Sequence, residues 1–311
     1  MEEKKLDLNS IIGFVLISGI LIWMLYSNAP TPEEQKEKEK KEQLDKQAKE
    51  VKTVTSTVAA TPVADSTKNV AAQAQLGSFG YSATLPSATD AVTEIKNEVL
   101  SLKISNKGGY IVDATVLGFD QFEKNSKKAV QIIKDKNASL DIALNTTDNR
   151  TLHTKDMYFE PKLTTEGKNQ VLTLQLKAGP DQFLEYRYVL KPNEYMLDFA
   201  IRSQGLEKVV NTSKPLDLEW QLKSYRNEKS VSYENRYTEL VFEYEDGKDD
   251  YLNAAKDSED EANDVSYIAF KQHLFTSILL TDTKFKTAKF KSDNLVDDEE
   301  IDTVFTKNFT A

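Results

Sequence analysis

The chain has 311 residues, with 50 Asp and Glu against 40 Lys and Arg, a formal charge of −10. That acidic balance argues against a nucleic-acid binder, which needs basic surface to displace the counterions of phosphate. With no cysteine and two histidines, disulfides, thiolate metal sites, a cysteine nucleophile and a lipidated N-terminal cysteine are excluded, and little is left for His-based chemistry.

The N-terminal end predicts a membrane anchor. Residues 11–26 read IIGFVLISGILIWMLY, without a charge, and the run extends back to Leu8. Nineteen residues at a helical rise span about 28 Å, close to the hydrocarbon core of a bilayer. The segment is apolar all round, where a buried core helix would carry a polar face. The anchoring side chains are Ile11, Ile12, Phe14, Val15, Leu16, Ile17, Ile20, Leu21, Ile22, Trp23, Leu25 and Tyr26, with Trp23 and Tyr26 at the interface level. An uncleaved anchor is favoured over a signal peptide. Glu2 and Glu3 offset Lys4 and Lys5, and the cleavage candidate Ser27-Asn28-Ala29 runs directly into Pro30. Charge alone does not orient the span. Lys36, Lys38, Lys40 and Lys41 outnumber Lys4 and Lys5, but they lie in a flank dense in Glu.

A linker is expected over 28–89. Its first part holds acid-first i,i+4 pairs, among them Glu34–Lys38, Glu37–Lys41 and Glu42–Lys46, and no apolar stripe, so it reads as a solvated helix or coil. From Val51 to Thr89 the composition turns to Thr, Ala, Ser, Val and Pro, the texture of a disordered tether.

From residue 90 to 311 short alternating runs take over. Leu100, Leu102 and Ile104 share one face, as do Leu172, Leu174 and Leu176, and Phe183 to Leu190 has an aromatic and a charged face. Further runs span Tyr195–Ile201, Leu216–Leu222, Tyr237–Tyr244, Val265–Leu280 and Phe285–Phe290, separated by turns such as Lys107-Gly108-Gly109 and Lys191-Pro192-Asn193. The predicted fold is mainly β, a large antiparallel sandwich.

Chemistry is sparse. His153 reads as a surface loop residue, and His273 as a structural residue inside a strand. The acidic run from Glu243 to Asp264 does not fit a calcium loop: with Gly247 at position six, Phe242 falls at position one. It reads as a solvated loop, as does Asp297-Asp298-Glu299-Glu300. No G-x-S-x-G, P-loop, G-x-G-x-x-G or H-E-x-x-H occurs. No catalytic, cofactor or metal residue is assigned.

Several stretches carry a resemblance to a known family. They are Asn97–Phe122 with Gly108-Gly109, Leu184–Ser203, Leu218–Tyr225 with Lys229-Ser230, and Tyr267–Leu280 with the pair Gln272-His273. In this order, behind an anchor, they resemble the N-terminal portion of the bacterial YidC insertase family (YidC/Oxa/Alb). The resemblance implies a periplasmic β-supersandwich of mutarotase-like fold, an N-terminus in the cytoplasm, and residence in the inner membrane. It implies insertion and folding of nascent inner-membrane proteins in the lipid bilayer, alone or with the Sec translocon (SecYEG, SecDF), and no cofactor. The family's insertase activity lies in five C-terminal helices around a hydrophilic groove. No spanning run follows Tyr26, so no groove residue carries over and the chain reads as the anchor and interaction part. The competing readings are a tethered adaptor and a carbohydrate-binding or mutarotase-like protein. The last would need His153 and His273 close together with a carboxylate in a cleft.

Overall fold

A computed structural model of the chain describes residues 66–253, 255–298, 301 and 303–311. The expected anchor over 10–27 and the linker up to residue 65 lie outside them, as do Glu299 and Glu300. Among the described residues no helix is long and apolar enough to cross a membrane.

The structure is mainly β, and its strands pair antiparallel in three sheets, as the alternation predicts. The first holds β1 (Val92–Lys96), β2 (Leu100–Ser105), β3 (Ile111–Asp120) and β4 (Ala129–Ile133) in sequence order. The second holds β7 (Glu160–Glu166), β8 (Asn169–Gly179), β9 (Gln182–Leu190) and β10 (Leu197–Gln204), each beside its sequence neighbour. The third has eight strands. In spatial order they are β13 (Lys248–Tyr251), β12 (Glu239–Tyr244), β14 (Ser258–Lys271), β15 (Thr276–Asn294), β16 (Phe305–Thr310), β11 (Asp217–Tyr225), β5 (Ala138–Asn145) and β6 (Thr151–His153). Period-two patterning sets which face is buried: Leu100, Leu102 and Ile104 of β2, and Leu172, Leu174 and Leu176 of β8, all point into the core.

The third sheet does not stay flat. In the β14–β15 hairpin, Val265 pairs with Phe285 but Tyr267 pairs with Leu280, which leaves Thr281–Lys284 opposite Ser266 alone. Asp264 and Lys284 adopt positive φ at this bulge. Such a corner bends a strand pair and re-aims its side chains. The far half of the hairpin turns over, and Phe270 of β14 stacks on Trp220 of β11 with ring centroids 3.9 Å apart. In a flat sheet those strands, three places apart, would be about 14 Å apart. Phe309 of β16 joins the stack on Phe270, and Phe242 of β12 stacks on Phe290 of β15.

The structure departs from the sequence reading in several places: His153, expected in a loop, closes strand β6, and three longer stretches differ. The tether does not reach residue 89. Ser66–Leu76 forms α1, Gly77–Phe79 a 3-10 turn and Gly80–Ala83 α2. Gly77 takes the left-handed conformation that ends α1, and the Arg150 guanidinium donates to the carbonyls of Gln73 and Ala74 in its last turn. Phe79 is fully buried in the core beside β8, so a single aromatic anchors a stretch whose composition is otherwise that of a linker. Second, the acidic run is not a loop: β13 and β14 occupy much of it, with Glu259 and Glu261 facing Lys291 and Lys289 across the hairpin. Third, β14 ends at Lys271, so His273 sits in the turn between β14 and β15 and is not inside a strand.

A buried lysine interrupts the apolar interior. Lys307 of β16 is 0% exposed, and its ammonium donates to Asn294 Oδ1 at 2.6 Å. Burial pulls its pKa down to about 8, partly opposed by Asp257. The unfolded chain therefore binds a proton that the folded chain has released between pH 8 and the ordinary lysine range. Stability is expected to rise across that window by about 3 kcal/mol from this group. Lys307→Met should remove that rise, read as the difference between variant and parent in urea unfolding at pH 7 and pH 10. Parallel curves for the two proteins would refute the assignment.

Candidate functional site

Each of the two histidines lies in a cluster of polar side chains. On β5, Asp141 is buried and accepts from the Thr154 hydroxyl at 3.2 Å and the Lys155 amide at 3.1 Å, while His153 Nδ1 lies 2.6 Å from its Oδ2. Burial alone raises the Asp141 carboxyl, but the Lys155 amide, the His153 ring and the Lys155 ammonium outweigh it and hold the group below the usual carboxylate value. Lys155 also reaches Glu219 at 3.5 Å. Every acceptor site of Asp141 is thus committed to fixing the short edge strand β6 and the turn after it, a structural role.

The second place assembles segments distant in sequence. Ser230 caps a short helix, α3 (Val231–Tyr237), by accepting from the Tyr233 amide. Glu234 of that helix is buried, and its carboxylate accepts from the amides of Asn227 at 2.8 Å and Glu228 at 3.0 Å. Gln272 is buried beside it and donates to Glu234 Oε1 at 3.2 Å and to the Tyr225 carbonyl at 2.5 Å. Burial raises the Glu234 carboxyl, against the lowering effect of the two amides. His273, next in sequence, bonds Glu228 Oε1 at 2.5 Å and packs against the rings of Tyr233 and Tyr237 at 5.0 and 4.9 Å. Two stretches that carried the resemblance, Leu218–Tyr225 with Lys229-Ser230 and Tyr267–Leu280 with Gln272-His273, meet here.

Glu234→Ala should cost about 2–4 kcal/mol, because it leaves the part-buried amides of Asn227 and Glu228 without an acceptor and takes from the Gln272 side chain one of its two. Glu234→Gln, which keeps one oxygen, should cost clearly less. Equal losses in chemical denaturation would show that side-chain volume, and not the acceptor, matters.

Outside this hub lies an exposed aromatic cap. Tyr233 and Tyr237 of α3 and Leu274 of the β14–β15 turn are exposed, Leu274 by 64%. Phe275 of the same turn meets exposed Phe119 of β3 edge to face at 5.7 Å. Arg226 lies over the ring of Phe122 at 4.8 Å. Three connections, β3–β4, β11–α3 and β14–β15, therefore present one surface. Sequence reasoning singled out Gln272 and His273 but missed Glu234, Phe119 and Phe122. The available signal was Ser230 ahead of an Asn/Glu-bearing turn, a short helix start.

The histidines do not form one constellation. His153 pairs with Asp141 on β6 and His273 with Glu228 at the β14–β15 turn, and they share no partner. A hollow of about 370 Å³ on the second sheet, lined by Glu160, Pro161, Lys162, Thr173, Gln175 and Lys177, contains neither. The juxtaposition a mutarotase-like reading required is not made.

Residues 92–311 match the sequence model of the YidC periplasmic domain. The membrane protein insertase YidC of Parabacteroides distasonis is 29% identical over 303 residues, covering 92% of this chain and 46% of the relative. The protein of the same name from Phocaeicola vulgatus is 27% identical over 313 residues, covering 98% and 47%. The chain thus spans about half the length of these relatives. Among solved structures, a galactose mutarotase-like protein from Lactobacillus casei is similar at 10% identity and a TM-score of 0.40, over 71% of this chain and 87% of that one.

Proposed function

The chain belongs to the YidC periplasmic-domain family, and from that premise we propose that it is the anchored periplasmic part of a membrane protein insertase. In this reading residues 10–27 span the inner membrane with the N-terminus in the cytoplasm. Residues 28–65 tether a β-supersandwich held in the periplasm, and the whole protein inserts and folds inner-membrane proteins, alone or with the Sec translocon. This part does its work by contact and not by turnover. The observation that carries the reading is the family match over 92–311, behind a sixteen-residue uncharged run at 11–26. The described side chains support it: the Asp141 and Glu234 carboxylates are consumed by structural donors, whereas the aromatic cap is left exposed.

The test is insertion of a small inner-membrane protein in a strain depleted of its own insertase and supplied with the full-length protein that carries this chain. Rescue of insertion is the expected result. A protein that accumulates in the membrane, with its 90–311 region accessible to periplasmic protease, and yet fails to rescue would overturn the insertase assignment and leave a tethered adaptor.

A further inference from the structure

Six strands end a sheet among the described residues: β1, β4, β7, β10, β13 and β6. Open edges invite pairing with another chain, and proteins blunt them with short strands, proline or bulges. β1 and β4 have five residues, β13 four and β6 three, and β7 carries Pro161. β10 has no such guard. It runs for eight residues without proline and pairs with β9 throughout without a register shift. Asp198 and every residue from Ala200 to Gln204 are exposed, as are Tyr195 and Met196 just ahead of the strand.

Backbone bonding alternates along an antiparallel ladder, and a two-residue hairpin closes on a bonded pair. The Gly167-Lys168 turn closes on Glu166 and Asn169. Carried across β8 and β9, that alternation turns the amides and carbonyls of Asp198, Ala200, Arg202 and Gln204 toward β9. Those of Leu197, Phe199, Ile201 and Ser203 face the open side.

We propose that β10 pairs antiparallel with β10 of a second copy of this chain, about a twofold axis at Ala200, joining two four-stranded sheets into one of eight. The edge is self-complementary about that residue. Phe199 meets Ile201 of the second copy and Leu197 meets its Ser203, all four through their outward backbone groups. Asp198 stands opposite Arg202 of the second copy, twice, in the closer, unbonded pairs. On the axis the small Ala200 meets itself. Moving the axis to Phe199 or Ile201 sets Ala200 opposite Asp198 or Arg202 and loses both charge pairs. Within each copy Arg202 keeps Glu185 and Asp198 keeps Lys191, so the charges run in a row across the seam. On the other face Phe199, packed on Tyr186 and Tyr188, continues the apolar surface over the exposed Ile201 of the second copy. Such a contact uses one surface twice and closes on itself.

One strand per chain is less than a standard interface, so association is weak and a covalent trap reads it best. The chain has no cysteine, so Ala200→Cys supplies one thiol, at the axis. Unbonded cross-strand partners have Cα atoms about 4.5 Å apart, within disulfide range. The full chain in mild detergent is equilibrated in a glutathione redox buffer, and dimer is read on a non-reducing gel. Ala200→Cys is expected to cross-link. Ser203→Cys on the same edge, whose thiols would lie about 20 Å apart along the seam, and Lys168→Cys in the β7–β8 turn should stay largely monomeric. In the Ala200→Cys background, Arg202→Glu or Asp198→Lys alone sets like charges opposite each other and should lower the dimer about ten-fold. An equal mixture of these two chains restores both opposite pairs between unlike copies and should recover the dimer, which a folding defect in either chain would prevent. Dimer no greater at 200 than at 203 or 168, or a mixture as poor as its components, would overturn the proposal.

Discussion

Phe270→Ala is expected to lower the stability of the folded region by about 3–5 kcal/mol, the cost of removing a fully buried aromatic from a core that cannot collapse around the gap. Phe270 is 1% exposed and lies between Trp220 and Phe309, so its ring joins the turned-over half of the β14–β15 hairpin to the strands beneath it. The stack is the direct product of the corner at Val265–Phe285. Removing the ring should leave the two halves of the hairpin paired within themselves but poorly held together. Urea unfolding followed by circular dichroism gives the stability change. Emission of Trp220 should shift to the red in the folded variant as its face becomes hydrated. Phe270→Leu, which retains most of the volume, should lose clearly less. A Phe270→Ala variant as stable as the parent would mean that the two layers are joined elsewhere.

The second large effect is expected at Gly109. Its φ is +68°, and a Cβ there would lie 2.9 Å from the Tyr186 ring and 3.3 Å from that of Phe159, both fully buried. Its carbonyl accepts from the Tyr188 hydroxyl at 2.8 Å, so the backbone cannot retreat without breaking a buried bond. Gly109→Val combines a left-handed β-branched residue with overpacking against two rings, for a loss of about 4 kcal/mol. Gly118 supplies the comparison. Its φ is +84°, but nothing lies within 4 Å of its Cβ position. Gly118→Val should therefore show the backbone cost alone, about 1–3 kcal/mol. Similar denaturation midpoints for the two variants would show that close approach of the rings is not what requires glycine at 109.

The strands were legible where burial is one-sided. Leu100, Leu102 and Ile104, or Leu172, Leu174 and Leu176, repeat at the period of a pleat and need no partner to be read. Legibility failed where a distant partner supplies the reason. Glu259 and Glu261 look like loop residues until Lys291 and Lys289 stand opposite them. The turn at Gln272–Phe275 has no Gly, Pro or Asn to announce it. Its backbone bond from Gln272 to Phe275 is supported by the Gln272 side chain reaching Tyr225, 47 residues away. Helix α3 is too short for a periodic signal and depends on Glu234 meeting the amides of Asn227 and Glu228. The candidate site shows the same division. Its two resemblance motifs were visible separately, but nothing in the sequence placed them together or paired Phe119 with Phe275.

The burial of Phe79 has a mechanical side. A pull on the chain at Ser66 is borne first by α1, which is held at its C-terminal end by two hydrogen bonds from Arg150. Both are donated by the same guanidinium nitrogen, so α1 is expected to peel away at low force. Phe79 must then be drawn whole out of the core before β1 feels any load. Extended, the stretch from 66 to 79 measures roughly 45 Å, of which α1 already spans about 15 Å, so unravelling pays out about 30 Å. The domain can thus be tugged at its leash over that distance while its sheets stay folded, with one phenylalanine acting as the stop.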